Sequence, residues 1–455
     1  MEERSLSVES DDSGSETMSG WMLLPHVCLQ HVFRFLSNVD RVSAALVCHH
    51  WHKVMRSASL WRTYCIHFNG PFPKFNYAVG YIRHLGAHLH RLDVSVCPPQ
   101  RSIVARRISH SIIRLFSELI RVNPTLHSLT LVRLELDRHA WTSKQRNSLV
   151  GCLIDFLHRS SSKLTFVSLN SMHNNMTQGL PTLQALLNAD RRSYPQCYIS
   201  SLDLVNFFSP TVIVHRNPTV AHILGKLRGL TNLTLSYSCL SDELLIALQQ
   251  RHTEQSQTSS RNGITLQTLT LHCYENEPHQ QVVCGDLWAS LASTCPDLRV
   301  KFRVNHVTNT DELIRMLQPG IPMAEYVTSA YCFVEDDWSA KPLLRDLLPQ
   351  YRYTLQRLNL HLYNRHESLD EELLLLVKKC ECLEQLRLSA FLDIQTVEEL
   401  LHIRMTLRTS LNYIRVRIYT SDTNTRDREE QLEQILNSHP HLPHELKFFT
   451  SFCGH

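Results

Sequence analysis

Residues 230–248, LTNLTLSYSCLSDELLIAL, contain the pattern that decides the fold. The stretch begins with aliphatic residues at 230, 233 and 235, and this alternation is typical of a strand with one buried face. Ser241, Asp242 and Glu243 follow, and they precede leucines at 244, 245 and 248. A polar N-cap before leucines at this spacing is typical of the start of an amphipathic helix. The stretch therefore predicts one strand followed by one helix.

The strand pattern of this stretch recurs along most of the chain. Clear copies of aliphatic-x-x-aliphatic-x-aliphatic begin at Leu89, Leu126, Leu164, Ile199, Leu230, Leu266, Leu355, Leu383 and Leu411. Degenerate copies are expected near Leu298, Met323 and Leu446. Self-similarity of this kind indicates a solenoid of stacked strand–helix units, which is an α/β fold.

These units resemble leucine-rich repeats, and the resemblance implies an irregular horseshoe. They are longer than the usual repeat of about 20–29 residues. The ninth position of the repeat is often Asn or Cys in that class. Here five of nine clear copies carry an aromatic residue there, namely Phe207, Tyr274, Tyr363, Phe391 and Tyr419. We therefore expect an apolar row in the turn, in place of a polar ladder.

Residues 19–68 follow a helical pattern instead. The first predicted helix starts at Leu24-Pro25, since proline suits a first helical turn, and carries Leu29, Val32, Phe33 and Leu36. Asp40 is the predicted N-cap of a second helix, with Ala44, Val47, Cys48 and Trp51. A short third helix carries Leu60, Trp61 and Tyr64. Because so small a unit buries little apolar surface by itself, the pattern favours a docking module.

This segment resembles an F-box in the order and spacing of Leu24-Pro25, Val32-Phe33, Leu36, Asp40, Leu46-Val47-Cys48, Trp51 and Leu60-Trp61. F-boxes bind the Skp adaptor, which docks them onto a cullin–RING ubiquitin ligase. The resemblance implies a Skp-facing surface, with its support, formed by Leu24, Pro25, Leu29, Phe33, Leu36, Val47, Cys48, Trp51 and Trp61. The alternative is a self-contained helical hairpin without a partner.

The combined resemblance implies a substrate-recognition subunit of an SCF-type (Skp–cullin–F-box) ubiquitin ligase, whose solenoid binds the client. Such a receptor has no catalytic residue of its own. A non-degradative scaffold, bound to Skp and holding a partner on its solenoid, is the main alternative. A third alternative is a protein whose solenoid binds phosphate or nucleic acid. Because 46 Lys and Arg residues nearly balance 43 Asp and Glu residues, we do not expect a nucleic-acid partner.

Strand alternation predicts which residues face the concave surface. The first six clear units place one cation and two acids among eighteen such positions. The later units place seven Lys or Arg and no acid among twelve, when the unit near Met323, which includes Glu325, is left unplaced. The predicted client-binding set is Arg299, Lys301, Arg303, Arg357, His361, Arg387, Arg415 and Arg417. Since Arg matches carboxylate and phosphate oxygens, we expect an acidic or phosphorylated client. The alternative is a solvated face balanced by acids such as Glu384 and Asp370.

The expected domain organisation has four parts. Residues 1–18 form a disordered acidic tail, residues 19–68 the F-box, residues 69–88 a linker helix that caps the solenoid, and residues 89–455 the solenoid. The linker would hold the F-box rigidly, although Pro71 and Pro73 also fit a flexible connection.

Other classes of function leave no signature in the sequence. Neither phosphate-binding glycine motif occurs, and the 27 His residues lack strong zinc-site spacing, so no cofactor and no metal are expected. Aliphatic runs are too short for a transmembrane helix, and no membrane partner is expected. The 14 Cys residues include no C-x-x-C, and no secretory signal precedes them, so a reducing cytoplasmic or nuclear location is expected. Cys380 and Cys382 lie near acids, which disfavour a reactive thiolate.

Overall fold

The computed structural model describes residues 20, 24–68, 75–159, 163–193, 197–256, 265–277, 279–330, 338–420, 425–439 and 443–454. The predicted acidic tail, residues 1–18, lies outside these ranges, and so do Pro71 and Pro73. None of the helices within them is long and apolar enough to cross a membrane.

The described strands form one parallel sheet in which each strand pairs with its neighbours in the chain. They are β1 (Thr63–Phe68), β2 (Arg91–Val96), β3 (Ser128–Val132), β4 (Phe166–Ser168), β5 (Ser201–Leu204), β6 (Asn232–Ser236), β7 (Thr268–Tyr274), β8 (Arg299–Asn305), β9 (Met323–Ala330), β10 (Arg357–Leu362), β11 (Gln385–Ala390), β12 (Tyr413–Thr420) and β13 (Lys447–Gly454). A strand follows the start of every predicted unit, including the three degenerate ones. The predicted α/β leucine-rich-repeat solenoid is therefore confirmed.

Helices connect most successive strands. Three precede the sheet: α1 (His26–Phe33), α2 (Asn38–Ala44) and α3 (His49–Met55). The others are α4 (Phe75–Leu85), α5 (Ser102–Val122), α6 (Ser143–Arg159), α7 (Met176–Ser193), α8 (Pro218–Gly225), α9 (Asp242–Ser256), α10 (Gly285–Thr294), α11 (Thr310–Met316), α12 (Asp370–Lys379), α13 (Ile394–Thr406) and α14 (Thr425–Ser438). Between β9 and β10 a π-helical turn, Leu343–Leu347, and a 3₁₀ turn, Leu348–Tyr351, take the place of a helix.

One apolar core runs along the solenoid between the sheet and the helices. The repeated aliphatic positions supply it, and Leu230, Leu233 and Leu235 of the opening stretch are fully buried. Their equivalents in β7 lie in register with them, so that Leu233 pairs with Leu269. Stacking therefore buries in every unit a face that a single unit would leave exposed.

Three aromatic residues form the C-terminal part of the predicted row: Tyr363 and Phe391 in the turns after β10 and β11, and Tyr419 near the end of β12. The ring centroids of Tyr363 and Phe391 are 5.4 Å apart, and those of Phe391 and Tyr419 are 5.5 Å apart. A polar partner that the repeat pattern did not predict lies beside this row. Buried Asn364 donates from Nδ2 to the Phe391 carbonyl at 2.9 Å and accepts from the Phe391 N–H at 2.8 Å. The turn therefore combines an apolar row with an amide that satisfies the adjacent backbone.

Three details of the predicted helical module are wrong. Ser37, not Asp40, is the N-cap of α2, because its hydroxyl accepts from the Asp40 N–H. The predicted second helix is broken into α2 and α3 at Cys48, whose extended backbone caps α3. The third helix is one 3₁₀ turn, Ala58–Trp61, and Tyr64 already belongs to β1. The sheet thus begins within residues 19–68.

α4 joins the module to the solenoid. Its Tyr81 ring stacks on Tyr64 of β1 at 3.7 Å, meets the ring of Trp61 at 5.6 Å, and donates its hydroxyl to the Trp61 carbonyl at 3.1 Å. Ala78 and Ile82 on the same helix are buried in the solenoid core. One helix therefore packs against both apolar cores.

Candidate docking and client surfaces

The helical module has a small apolar core of its own. Leu29, Phe33, Leu60 and Trp61 are buried in it, and the Trp51 ring packs on Phe33 with centroids 5.0 Å apart. Of the predicted Skp-facing residues, Leu29, Phe33 and Trp61 therefore lie inside and support the surface. Pro25 and Val47 are exposed, and the remaining four are half-buried: Leu24, Leu36, Cys48 and Trp51.

The surface over this core is unusually apolar. The described chain exposes 16 large hydrophobic side chains, and six of them lie between residues 27 and 47: Val27, Val32, Phe35, Val42, Leu46 and Val47. Phe35 is 80% exposed and Leu46 is 82% exposed. We call these six residues the apolar docking surface. Exposed apolar side chains gathered in one short segment make it a candidate for protein–protein contact.

Most of the apolar docking surface was missing from the predicted set. Only Val47 belongs to both the predicted set and the apolar docking surface. The predicted set came from the apolar positions of one helical face, and that face fills the core. The available signal was the presence of further apolar side chains on the other helical faces, more than a helix needs to bury.

A buried arginine fixes the turn that presents Phe35. Arg41 donates from Nε to the Phe33 carbonyl and from Nη2 to the Arg34 carbonyl, each at 2.9 Å. Its guanidinium also lies 5.8 Å from the Trp61 ring centroid. Burial lowers the pKa of Arg41, and the hydrogen bonds satisfy carbonyls at the end of α1 that would otherwise lack a partner.

The sheet brings the predicted client-binding residues onto one face. In β8, β10 and β12 the predicted concave positions alternate with buried ones. Arg299, Arg303 and Arg387 are exposed, and the other members of the set are partly exposed. The set therefore projects from the sheet, opposite the core.

Glu325 changes the charge balance of this face. A register shift between β8 and β9 places Glu325 beside Lys301, and the next strand places Arg357 on its other side. Its carboxylate is 3.2 Å from Arg357, 3.8 Å from Lys301 and 3.9 Å from Arg303. The sequence pattern left the irregular unit near Met323 unplaced, and that unit supplies this acid. Three of the seven cations are paired with it.

A second group of cations has no such partner. We call Arg387, Arg415 and Arg417 the arginine cluster. Arg387 and Arg415 lie side by side in β11 and β12, and among the described residues none of the three forms an ion pair. Arg387 lies over the Tyr413 ring at 5.0 Å. Asp370, a predicted balancing acid, instead accepts from Thr396 and from the Asp393 N–H.

His361 borders the arginine cluster. In the β10–β11–β12 register it is followed by Ser389 and then by Arg417. Burial lowers the pKa of His361, and Arg417, Arg387 and Arg415 lower it further. The imidazole is therefore neutral near pH 7 and offers a hydrogen bond without adding charge.

Burial makes some thiols of the described residues poor nucleophiles. Burial raises the pKa of Cys380 to about 12, and it raises that of Cys273 well above its usual value. All 13 cysteines in the described ranges are free. The same ranges hold no group of three or more His, Cys, Asp or Glu side chains arranged to bind a metal ion.

Comparison with known proteins supports the resemblance at the N-terminus. Residues 21–67 match the F-box-like family model. The chain is also similar to F-box/LRR-repeat protein 21 of Ovis aries, at 23% identity over 62% of this chain and 58% of that protein. The same protein of Bos taurus is 24% identical over 50% of this chain and 48% of its own length, and that of Mus musculus 22% over 57% and 53%. The chain spans about half the length of the curated relatives it matches. It therefore contains an F-box-like domain followed by a leucine-rich-repeat solenoid.

Proposed function

We propose that this chain is a substrate-recognition subunit of an SCF-type ubiquitin ligase. Its F-box-like domain would bind the Skp adaptor, and through it a cullin–RING ligase, while the solenoid binds the client. The observation that carries the proposal is the apolar docking surface, which lies on a segment that matches the F-box-like model. Central apolar side chains dominate interfaces of this kind.

In this proposal the apolar residues of the F-box-like domain divide into two roles. The exposed side chains, with Leu46 and Phe35 foremost, contact the adaptor, and buried Leu29, Phe33 and Trp61 hold them in place. The half-buried Trp51 supports this arrangement, because its ring packs on buried Phe33 with centroids 5.0 Å apart.

The client would bind the C-terminal half of the concave face, where the eight predicted residues lie, and would carry an acidic or phosphorylated segment. The packing of Tyr81 against both cores supports this role, because a receptor must hold its client at a fixed position relative to the ligase. No catalytic step is assigned to the chain itself, and a cytoplasmic or nuclear location belongs to the same proposal.

The sequence also resembles F-box only protein 39 in residues 239–245, 278–283, 366–373 and 390–393. We propose that this chain is closely related to F-box only protein 39. This relation supplies no client.

Affinity purification of the full chain from cells treated with a proteasome inhibitor tests the proposal. A receptor brings down Skp together with the cullin and its RING subunit, and its clients accumulate when the proteasome is blocked. Recovery of Skp without the cullin would favour the non-degradative scaffold. Recovery of neither would contradict both.

A further inference from the structure

The arginine cluster departs from the charge pairing used elsewhere on the same face. In β8, β9 and β10 the concave cations surround Glu325, so neighbouring strands carry opposite charges. Arg387 of β11 and Arg415 of β12 lie side by side in the register. The backbones of neighbouring strands are about 4.8 Å apart. Like charges on neighbouring strands destabilise a sheet. Proteins break such local rules at functional sites, where a ligand supplies the missing charge.

The groups around the cluster define the shape of the missing ligand. In the register across the sheet, Arg417 pairs with Ser389 of β11, which in turn pairs with His361 of β10. On its other side Arg417 pairs with the exposed Ser451 of β13. The site thus combines three guanidinium groups with the His361 imidazole and the exposed Ser451 hydroxyl, whereas Ser389 is buried. A phosphoryl group carries nearly two negative charges and three acceptor oxygens, whereas a carboxylate carries one charge and two oxygens. The cluster therefore matches a phosphoryl group better than it matches a carboxylate.

Apolar surface adjoins this cluster on the side of the last strand. Phe449 lies in register with Arg415, is 52% exposed, and has its ring centroid 5.8 Å from that of Tyr413. An aromatic shelf beside a phosphoryl site fits a peptide that has an apolar side chain next to its modified residue. A nucleic acid would need cations along a longer track, but the N-terminal half of the face carries Asp93 and Asp203.

We propose that Arg387, Arg415 and Arg417, together with His361, form a binding site for a phosphorylated serine or threonine in an extended protein segment. The site deepens the proposed function, because it names the chemistry of the client. It also narrows the predicted client-binding set to β10–β13, since Lys301, Arg303 and Arg357 are already paired with Glu325.

Binding of short degenerate peptides to the full chain tests this site. Three fluorescent libraries differ only at the central residue, which is phosphoserine, serine or glutamate, and affinity is measured by fluorescence anisotropy. We expect the phosphoserine library to bind at least about tenfold more tightly than either of the others, because three Arg forks bind the doubly charged group. Each of Arg387→Gln, Arg415→Gln and Arg417→Gln should weaken phosphoserine binding, and the triple variant should abolish the preference.

Arg91→Gln is the matched control, because Arg91 lies on the same face at the opposite end of the sheet. It should bind the phosphoserine library as the wild type does. Equal affinity for phosphoserine and glutamate, or for phosphoserine and serine, would overturn the proposal. Wild-type affinity for the phosphoserine library in all three single variants, each with wild-type hydrogen exchange, would also overturn it. So would stronger binding of a single-stranded oligonucleotide than of the phosphoserine library at the same phosphate concentration.

Skp capture, measured on the same protein, separates this proposal from the proposed function. A chain that captures Skp but has no preference for phosphoserine contradicts the phosphoryl site alone. A chain that binds phosphoserine through the arginine cluster but does not capture Skp contradicts the ligase assignment and supports the site.

Discussion

Glu277 is predicted to make the middle of the solenoid less stable as pH rises. Its side chain follows β7, is 5% exposed, and accepts from the Ser238 N–H at 3.3 Å. Burial raises its pKa from 4.5 to about 7, although hydrogen bonds from Ser238 and Ser236 act in the opposite direction. The folded protein therefore favours the protonated carboxyl.

The sign and size of the effect follow from this shift. The stability contributed by the neutral carboxyl is fully present below pH 4.5, the value for the unfolded chain, and is lost as pH rises through about 7. The difference between the two pKa values corresponds to about 3 kcal/mol. Replacement of Glu277 by Gln keeps the hydrogen-bond acceptor and removes the charge. The variant should match the wild type near pH 4.5 and be more stable above pH 7.

Hydrogen exchange in β6 and β7 is a suitable assay, because repeat proteins open locally. At each pH the intrinsic exchange rate cancels in the ratio of Glu277→Gln to wild type. Between pH 4.5 and pH 8 the protection ratio should rise about 100-fold in favour of the variant. A ratio that stays constant across this range, with both proteins folded, would refute the buried, proton-binding state of Glu277.

Three further predictions concern other parts of the chain. Glu325→Gln should lower the free energy of unfolding, measured by urea denaturation, by about 1 kcal/mol. The double variant with Arg357→Gln should lose less stability than the sum of the losses in the two single variants, and additive losses would contradict the pairing of the two residues. Asn364→Ala should cost about 2 kcal/mol of local stability, because it leaves buried backbone groups unpaired. Asn359→Ala should cost less, because the Asn359 side-chain oxygen has no hydrogen-bond partner among the described residues. Equal losses in the two variants would contradict the role of Asn364. Exchange should be slow across α4, and Tyr81→Ala should speed it in both α4 and α3; rapid exchange of α4 in the wild type would contradict a rigid joint.

The sequence was sufficient to predict twelve of the thirteen described strands, because each unit repeats the same buried aliphatic positions. Even the degenerate unit near Leu298 keeps its inner pair, Val300 and Phe302, and both are fully buried. β1 was missed because Tyr64, Ile66 and Phe68 replace the usual leucines and lie within the segment that resembles an F-box. Periodicity finds strands through the residues they bury, so a strand with an atypical set is overlooked.

The candidate sites were less accessible to sequence reasoning. Glu325 faces the cations only because of the register shift between β8 and β9, and register depends on the neighbouring strand. In the F-box-like domain, the sequence shows which residues are apolar but not which of them the small core leaves exposed. Leu46 and Phe35 became candidates only once the packing of Phe33 and Trp61 was known.

The most direct test of the central claim is the affinity of the full chain for the purified Skp adaptor. Leu46→Asp, which changes the most exposed side chain of the apolar docking surface, is predicted to weaken binding by at least about 30-fold, the equivalent of roughly 2 kcal/mol for an interface anchor. Leu407→Asp is the matched control, because Leu407 is also exposed but follows α13 at the far end of the solenoid. It should bind Skp as the wild type does. A folded Leu46→Asp chain that binds Skp with wild-type affinity, or a wild-type chain that does not bind Skp, would contradict the account.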